Sequence, residues 1–328
     1  MAIQITILGL GQVGASIGLA LADKKDTLTR VGNDRSVDVA KQAQRMGAVD
    51  QVQINLPAAV RKADVVVLAM PVDEIRETLE VIASDLKEGC VVMDTSPVKV
   101  GVSEWAKKIL PAERHFVGLT PALNPACFND SAVGVDAARA DLFKNSLMMI
   151  SSPPGTEADA LKLAADLAQL IGSTPFYGDP YESDGLMAAV SLLPELLAAA
   201  LVEATVSQPG WTEARKLAGK SYASVSRPLL DPLESGFHGQ SALINKDNTL
   251  RMLDTLAVSL HNLRQLIADG DEAALKERIG KAAEARTQWE AQRHKNNWDV
   301  NLDQPMPTAG EIFGRMFGLG GKPKDKKK

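Results

Sequence analysis

The residues with the most chemical content come first. Gly9-Leu10-Gly11-Gln12-Val13-Gly14 follows the alternating run Ile3, Ile5, Ile7 and opens a segment of helical composition, Ala15 to Ala22. A second short stretch, Leu28 to Gly32, leads to Asp34, about 20 residues beyond the last glycine. Each part suits a ligand bridged by a pyrophosphate. Gly9 permits the tight turn, Gly11 lets backbone approach phosphate, and Gly14 lets the helix pack closely on the strand. Gln12 and Val13 complete the turn, and the helix N-terminus offers unpaired N–H groups and a partial positive charge. Asp34 can accept hydrogen bonds from an adenosine ribose, and its charge repels a 2′-phosphate, which favours NAD. Arg35 beside it could hold that phosphate, so NADP stays open. A glycine turn with no ligand is the bland alternative; strand, glycines, helix, strand and acid in one succession count against it.

The elements that position these residues follow from periodicity. Val65 to Met70 is an unbroken apolar run, as in a parallel strand covered on both faces, and Pro71 ends it. Met70 and Pro71 therefore stand at a strand end beside the cofactor. Cys90 to Asp94 is another buried strand, and Thr95-Ser96-Pro97-Val98-Lys99 leaves its C-terminal end, where open α/β sheets place their ligands. Helices are predicted over 37–46, 73–86, 102–110 and 157–171, and strands over 49–54, 116–118, 147–150 and 174–177, with Thr120-Pro121 starting a loop. The alternation stops near Gly178, and 184–206, 212–223, 243–268 and 272–295 then read as helices. The fold class is therefore α/β: a Rossmann-type doubly wound sheet (1–178), then an all-helical dimerisation domain (179–300), then a flexible basic tail (301–328). Leu250, Leu253, Leu256, Leu260, Leu263 and Ile267 form an apolar stripe that needs a partner. An intrachain bundle would serve, but one Rossmann domain offers limited surface, so a homodimer through the helical half is expected. In the tail, Ile312, Phe313, Met316 and Phe317 could dock elsewhere; a solvated, disordered end is the simpler reading.

Composition narrows the class. Of 328 residues, 45% are hydrophobic and 23% charged, an ordinary soluble balance, and with 4% aromatics the core must rely on Ala, Leu, Val and Ile. A net charge of −5 gives no electrostatic reason to expect nucleic acid. Cys90 and Cys127 lack metal-ligand spacing, so no metal is expected, and as core thiols they fit a reducing cytoplasm. No cleavable leader is visible. The most apolar segment, 186–206, is interrupted by Pro194, Glu195 and Glu203, so buried helices are expected there and no membrane span.

These residues resemble the prephenate and arogenate dehydrogenase family of tyrosine biosynthesis. The resemblance runs from Ile3 to about Arg286. It includes Gly9 to Gly14, Asp34, Ala63-Asp64 through Pro71, Asp94 to Lys99, Phe116-Val117-Gly118 and Leu142-Phe143. In the second half it includes Asp184, Ser191-Leu192-Leu193-Pro194, Asn245 and Leu263-Arg264 through Gly270-Asp271. It implies hydride transfer from a hydroxyl-bearing ring carbon to a nicotinamide, with loss of the ring carboxylate as the ring aromatises. It also implies that Ser96 hydrogen-bonds the substrate hydroxyl near the nicotinamide. Ser226-Arg227 is similar to a Thr-Arg pair whose arginine binds a substrate carboxylate, a task that suits the planar guanidinium fork. Lys99 keeps its motif position, with a solvated lysine as the alternative.

Two departures bear on the chemistry. The family's Gly-x-His-Pro segment reads Gly118-Leu119-Thr120-Pro121, so Thr120 stands where a histidine would accept the hydroxyl proton. A threonine hydroxyl can hydrogen-bond that oxygen but cannot take up a proton near neutral pH. The family's Ser-His-Leu-Pro-His reads Ser191-Leu192-Leu193-Pro194-Glu195, with both histidines gone. Of the chain's own histidines, His115 precedes a strand, His261 and His294 lie on helix faces, and His238 is the best spare base. Catalytic candidates are thus Ser96, Thr120 and Arg227. The leading function is a prephenate dehydrogenase-type oxidoreductase with a carboxylic-acid substrate. The alternatives are the same fold acting on another hydroxy acid or an imine, and a catalytically silent nucleotide-binding protein.

Overall fold

The computed structural model describes residues 3–230, 239–296 and 298. The first half alternates strand and helix: β1 (Ile3–Leu8), α1 (Gln12–Ala20), β2 (Leu28–Asn33), α2 (Val37–Arg45), β3 (Gln51–Val52), α3 (Leu56–Val60), β4 (Val65–Leu68), α4 (Val72–Ile82), β5 (Val91–Asp94), α5 (Val100–Ile109), β6 (His115–Pro121), β7 (Ser146–Ser151), α6 (Ala158–Leu170) and β8 (Ser173–Gly178). They form one eight-stranded sheet in the order β3-β2-β1-β4-β5-β6-β7-β8. Strands β1 to β6 run parallel, β7 pairs antiparallel with β6, and β8 pairs parallel with β7. The C-terminal ends of β1, β2, β4, β5 and β6 therefore share one edge. The order reverses between β1 and β4, where an open sheet leaves a crevice.

The apolar runs are explained by helices on both faces. Val65 and Val67 pack with Ile5, Ile7, Val91 and Met93 against α1, α2 and α6, while Val66 and Leu68 pack with Val92 against Ile75, Leu79 and Val102 of α4 and α5. With alternate side chains facing opposite layers, each strand residue is buried, worth roughly 1.5–3 kcal/mol per large side chain.

The second half is helical: α7 (Pro180–Met187), a π turn (Ala188–Leu192), α8 (Leu193–Val206), α9 (Trp211–Leu217), α10 (Lys220–Ser226), a 3-10 turn (Arg227–Leu229), α11 (Gln240–Ile244), α12 (Lys246–Ala268) and α13 (Glu272–Lys295). Pro194 has no N–H to give to the preceding turn, and the helix widens into the π turn just before it. Gly219 separates α9 from α10, which the sequence reads as one helix.

Three expectations need correction. Thr120-Pro121 does not begin a loop; it is the paired end of β6, opposite Met149 and Met148, because antiparallel β7 extends the ladder there. The predicted strand over 49–54 shrinks to Gln51–Val52 at the sheet edge. The apolar segment expected as buried helices is buried on one face only: Ala188, Leu192, Glu195 and Ala198 face inward, whereas Leu186 and Val190 are exposed. Pro180–Val206 is long and apolar enough to cross a membrane by length and composition. His238 and the tail from 301 onward lie outside the described residues.

The last helix returns to the sheet half. Arg293 Nη2 donates to the carbonyl of Leu123, just past β6. Its guanidinium lies 5.7 Å from the Phe128 ring centroid, and Trp289 stacks on the same ring at 5.8 Å.

Candidate active site

The glycine turn is closed to side chains. Gly9 has φ +89°, and a Cβ there would sit 2.2 Å from the carbonyl oxygen of Ala69. A Cβ on Gly14 would sit 1.9 Å from the carbonyl oxygen of Gly9, so α1 lies directly on the turn. Gly11, at the helix N-cap, supplies no side-chain cap, and the first turn of α1 carries no acid. A glycine N-cap and an acid-free first turn at the positive dipole end of a helix are what a cradle for a dinucleotide pyrophosphate requires.

Asp34 stands at the end of β2 and touches that turn. Its Oδ2 accepts from Leu10 N and its Oδ1 from Ser36 N, each at 2.8 Å. A carboxylate has about four acceptor positions, so two remain for ribose hydroxyls. Arg35 is drawn away to Glu74 on the first turn of α4, at 2.5 Å. Met70 and Pro71 follow β4 and lead into α4, with Met70 Sδ accepting from Thr78 Oγ1. Gln12 Nε2 donates to the carbonyl of Ala137, in a short 3-10 turn that packs over α1.

Beyond β5 the chain folds into a buried polar knot. Lys99, for which a solvated position was the alternative, is 1% exposed; its Nζ meets Asp94 Oδ2 at 2.7 Å and the carbonyls of Asp94 and Ser96 at 2.9 and 2.5 Å. Burial pushes its pKa down, and Asp94 opposes that shift. Ser96 is buried too, and its Oγ lies 3.0 Å from Asp94 Oδ2 and 3.1 Å from the carbonyl of Val98. The serine hydroxyl therefore touches a carboxylate that already holds an ammonium.

The helical half closes over this edge through α7. Thr120 Oγ1 lies 3.0 Å from Ser183 Oγ. Asp184 accepts from the backbone N–H groups of Lys99 and Val100, capping α5 from 85 residues away. Asn245 Nδ2 in turn donates to the carbonyl of Asp184 at 2.7 Å. The structure thus gathers the glycine turn, Asp34, Arg35, Met70, Pro71, Ser96 and Thr120 along one sheet edge. Arg227 is not among them: its 3-10 turn packs on α8 and α10 in the helical half. His115 begins β6, at the opposite end of the strand, and His261 and His294 are exposed. Among the described residues no group of His, Cys, Asp and Glu could hold a metal ion. Cys90 is a core thiol whose pKa burial pushes up to about 12.

Comparison with known proteins identifies the family. The family model for the prephenate dehydrogenase nucleotide-binding domain matches residues 17–176, and the model for the prephenate dehydrogenase dimerization domain matches residues 179–281. The chain belongs to the prephenate dehydrogenase family. It is an NAD-dependent oxidoreductase of that family. It is 25% identical over 269 residues to a prephenate dehydrogenase of Bacillus subtilis (strain 168), covering 81% of this chain and 71% of that protein. It is 27% identical over 285 residues to a cyclohexadienyl dehydrogenase of Zymomonas mobilis, covering 86% and 94%. The fold matches that of a prephenate dehydrogenase from Aquifex aeolicus, solved with hydroxyphenyl propionate and NAD+, at a TM-score of 0.74 with 23% identity over 88% and 98% of the two chains.

Three residues outside the sequence's site candidates stand out in the structure: Ser183, Asp94 and Glu195. Ser183 carries no motif signal and is found only because α7 meets β6. Asp94 lies inside a quoted motif, and only the closed knot reveals its contact with Ser96. Glu195 stands at the final position of the altered Ser-His-Leu-Pro-His segment. It is 7% exposed, burial alone pushes its pKa to about 8, and its Oε2 has no hydrogen-bond partner among the described residues.

Proposed function

We propose that the chain carries out the NAD-dependent oxidative decarboxylation of prephenate or arogenate, with Ser96 and Asp94 doing the proton work of the missing histidine. The observation that carries this reading is the Ser96 Oγ to Asp94 Oδ2 contact at 3.0 Å, at the sheet edge that also holds the glycine turn. When bound, the nicotinamide supplies the hydride acceptor. Asp34 and the N-terminus of α1 hold its nucleotide in place. Glu74 engages Arg35 and adds negative charge near the ribose, which favours NAD over NADP.

As the substrate's ring hydroxyl becomes a carbonyl, Ser96 Oγ accepts the hydroxyl proton and passes its own to Asp94. Lys99 keeps that carboxylate fixed and shields it from solvent. Thr120, steadied by Ser183, donates to the same substrate oxygen and orients it. Arg227 binds a substrate carboxylate from the helical side, and the ring carboxylate leaves as carbon dioxide as the ring becomes aromatic. The apolar outer faces of Pro180–Val206 and α12 are covered by a second copy of the chain, giving a homodimer in the cytoplasm.

Purified protein given NAD and prephenate, or NAD and arogenate, should form reduced nicotinamide together with 4-hydroxyphenylpyruvate or tyrosine. Ser96→Ala is expected to lower kcat by roughly 10²–10⁴ while leaving the NAD dissociation constant little changed, the range for loss of positioned acid–base help. Firm NAD binding with neither substrate turned over would instead favour another hydroxy acid or an imine.

A further inference from the structure

Two neighbouring residues of α7 each hold one side of the reaction edge. Ser183 Oγ lies 3.0 Å from Thr120 Oγ1, at the end of β6. Asp184 accepts from the backbone N–H groups of Lys99 and Val100, where the turn that carries Ser96 enters α5. Both residues are closed off from solvent, at 0% and 4% exposure. The ladder between β5 and β6 ends where Asp94 faces Gly118, and Ser96 and Thr120 each stand two residues beyond it. Strand pairing alone therefore leaves their separation open, and α7 is what spans them. A substrate hydroxyl held by both groups needs that separation fixed closely.

What seats α7 is Asn245, between α11 and α12. Its Nδ2 donates to the Asp184 carbonyl at 2.7 Å. That carbonyl already accepts from the N–H of Ala188, so Asn245 takes its second lone pair. The amide is oriented by its neighbours: its Oδ1 accepts from Asn248 Nδ2 at 2.9 Å, and the Asn245 carbonyl accepts from Thr249 Oγ1 at 2.8 Å. Asn245 is buried. One residue before it, Ile244 packs on α5 so closely that a Cβ at Gly101 would lie 2.4 Å from its Cγ2. The α11–α12 junction thus touches α5 through Ile244 and α7 through Asn245, and Asp184 joins those two helices to each other. Packing alone asks only for volume, whereas a buried amide with donor and acceptor both engaged asks for one geometry.

We propose that Asn245 is a positioning residue for hydride transfer: it holds α7 in the seat from which Ser183 and Asp184 set Ser96 and Thr120 at their working separation across the substrate oxygen. This rests on the oxidative decarboxylation reading above. Asn245 acts through Asp184 and not on the reacting atoms. Asn245→Asp keeps the shape, removes the donor and sets a carboxylate against the Asp184 carbonyl. Asn245→Leu keeps only the packing. Asn248→Ala leaves Asn245 in place and removes the neighbour that orients its amide.

Steady-state kinetics on the full chain, with NAD and whichever of prephenate and arogenate the wild type turns over, compare these variants. Asn245→Asp and Asn245→Leu should lower kcat about 10- to 100-fold, as a misplacement of about 1 Å does, with KM and the NAD dissociation constant within about threefold. Asn248→Ala should lower kcat about 3- to 10-fold in the same pattern. Ser183→Ala combined with Asn245→Leu or with Asn248→Ala should lose little more than the larger single loss, because both act through one seat of α7. A lower melting temperature with kcat within about twofold of wild type makes Asn245 a packing residue and overturns the proposal. Additive losses in the double variants overturn it too, as does a loss that falls chiefly on NAD binding. If the Asn245 variants do not fold, Asn248→Ala decides alone, and a wild-type kcat there overturns the proposal. Those results leave the reaction assignment standing, whereas a wild type that turns over neither substrate removes both.

Discussion

Asp34 already holds the backbone N–H groups of Leu10 and Ser36, so it both braces the glycine turn and keeps acceptor positions for a ribose. Asp34→Ala should therefore weaken NAD binding more than NADP binding in a titration; equal losses would mean that the carboxylate serves the turn alone. Glu195 predicts a pH effect. Its folded pKa is about 8 against an ordinary 4.5, so between those values the unfolded chain has released a proton that the folded chain retains. Its contribution to stability is fully present below the lower value and is lost as pH rises through the upper one, at up to about 1.4 kcal/mol per pH unit. Melting temperatures from pH 5 to 8 should show Glu195→Gln gaining on the wild type as pH rises, and parallel curves would contradict the burial argument. The glycines and Asp34 were legible in the sequence because a turn without room for a Cβ, and an acid at fixed distance from it, are local demands. The buried state of Lys99 was not, since it depends on how Ser96 and Asp94 wrap around one ammonium. Nor could spacing reveal that Glu195 Oε2 lacks a partner among the described residues.

At the level of elements, α5 shows how the two halves are tied. Its N-cap residue Lys99 contributes no side-chain cap, since an ammonium offers no acceptor, and that side chain is turned into the knot with Asp94. The missing acceptor comes from α7, whose Asp184 meets the N–H groups of Lys99 and Val100. Asp184→Ala leaves those groups unpaired in a buried place and should cost roughly 1–3 kcal/mol in denaturant unfolding, with activity falling alongside. Strand and helix periodicity made most of the sheet half readable, since a strand buried on both faces must be apolar throughout. It failed where pairing or backbone chemistry decides: β7 captured Thr120-Pro121 into the sheet, and Gly219 cut one apparent helix in two.

For the molecule as a whole, the large apolar surface of α12 is the main unspent feature. Leu260 and Ile267 lie on one face of the helix and are more than half exposed in a single chain, as a face meant for another surface would be. Leu260→Asp should convert a dimer into monomers by sedimentation velocity, whereas an unchanged sedimentation coefficient would place the interface elsewhere. The stripe itself was visible in the sequence, but its partner was not, because periodicity records that a face must be covered without recording by what. The widened turn at Ala188–Leu192 has its own consequence. Each helical residue advances the direction of a side chain by about 100°. Losing one residue there would swing Glu195 out and a neighbour in, while Ser183 and Asp184 upstream stayed in place. Which side chains this segment turns inward could thus be reset by the gain or loss of a single codon, with every residue along the sheet edge left unchanged.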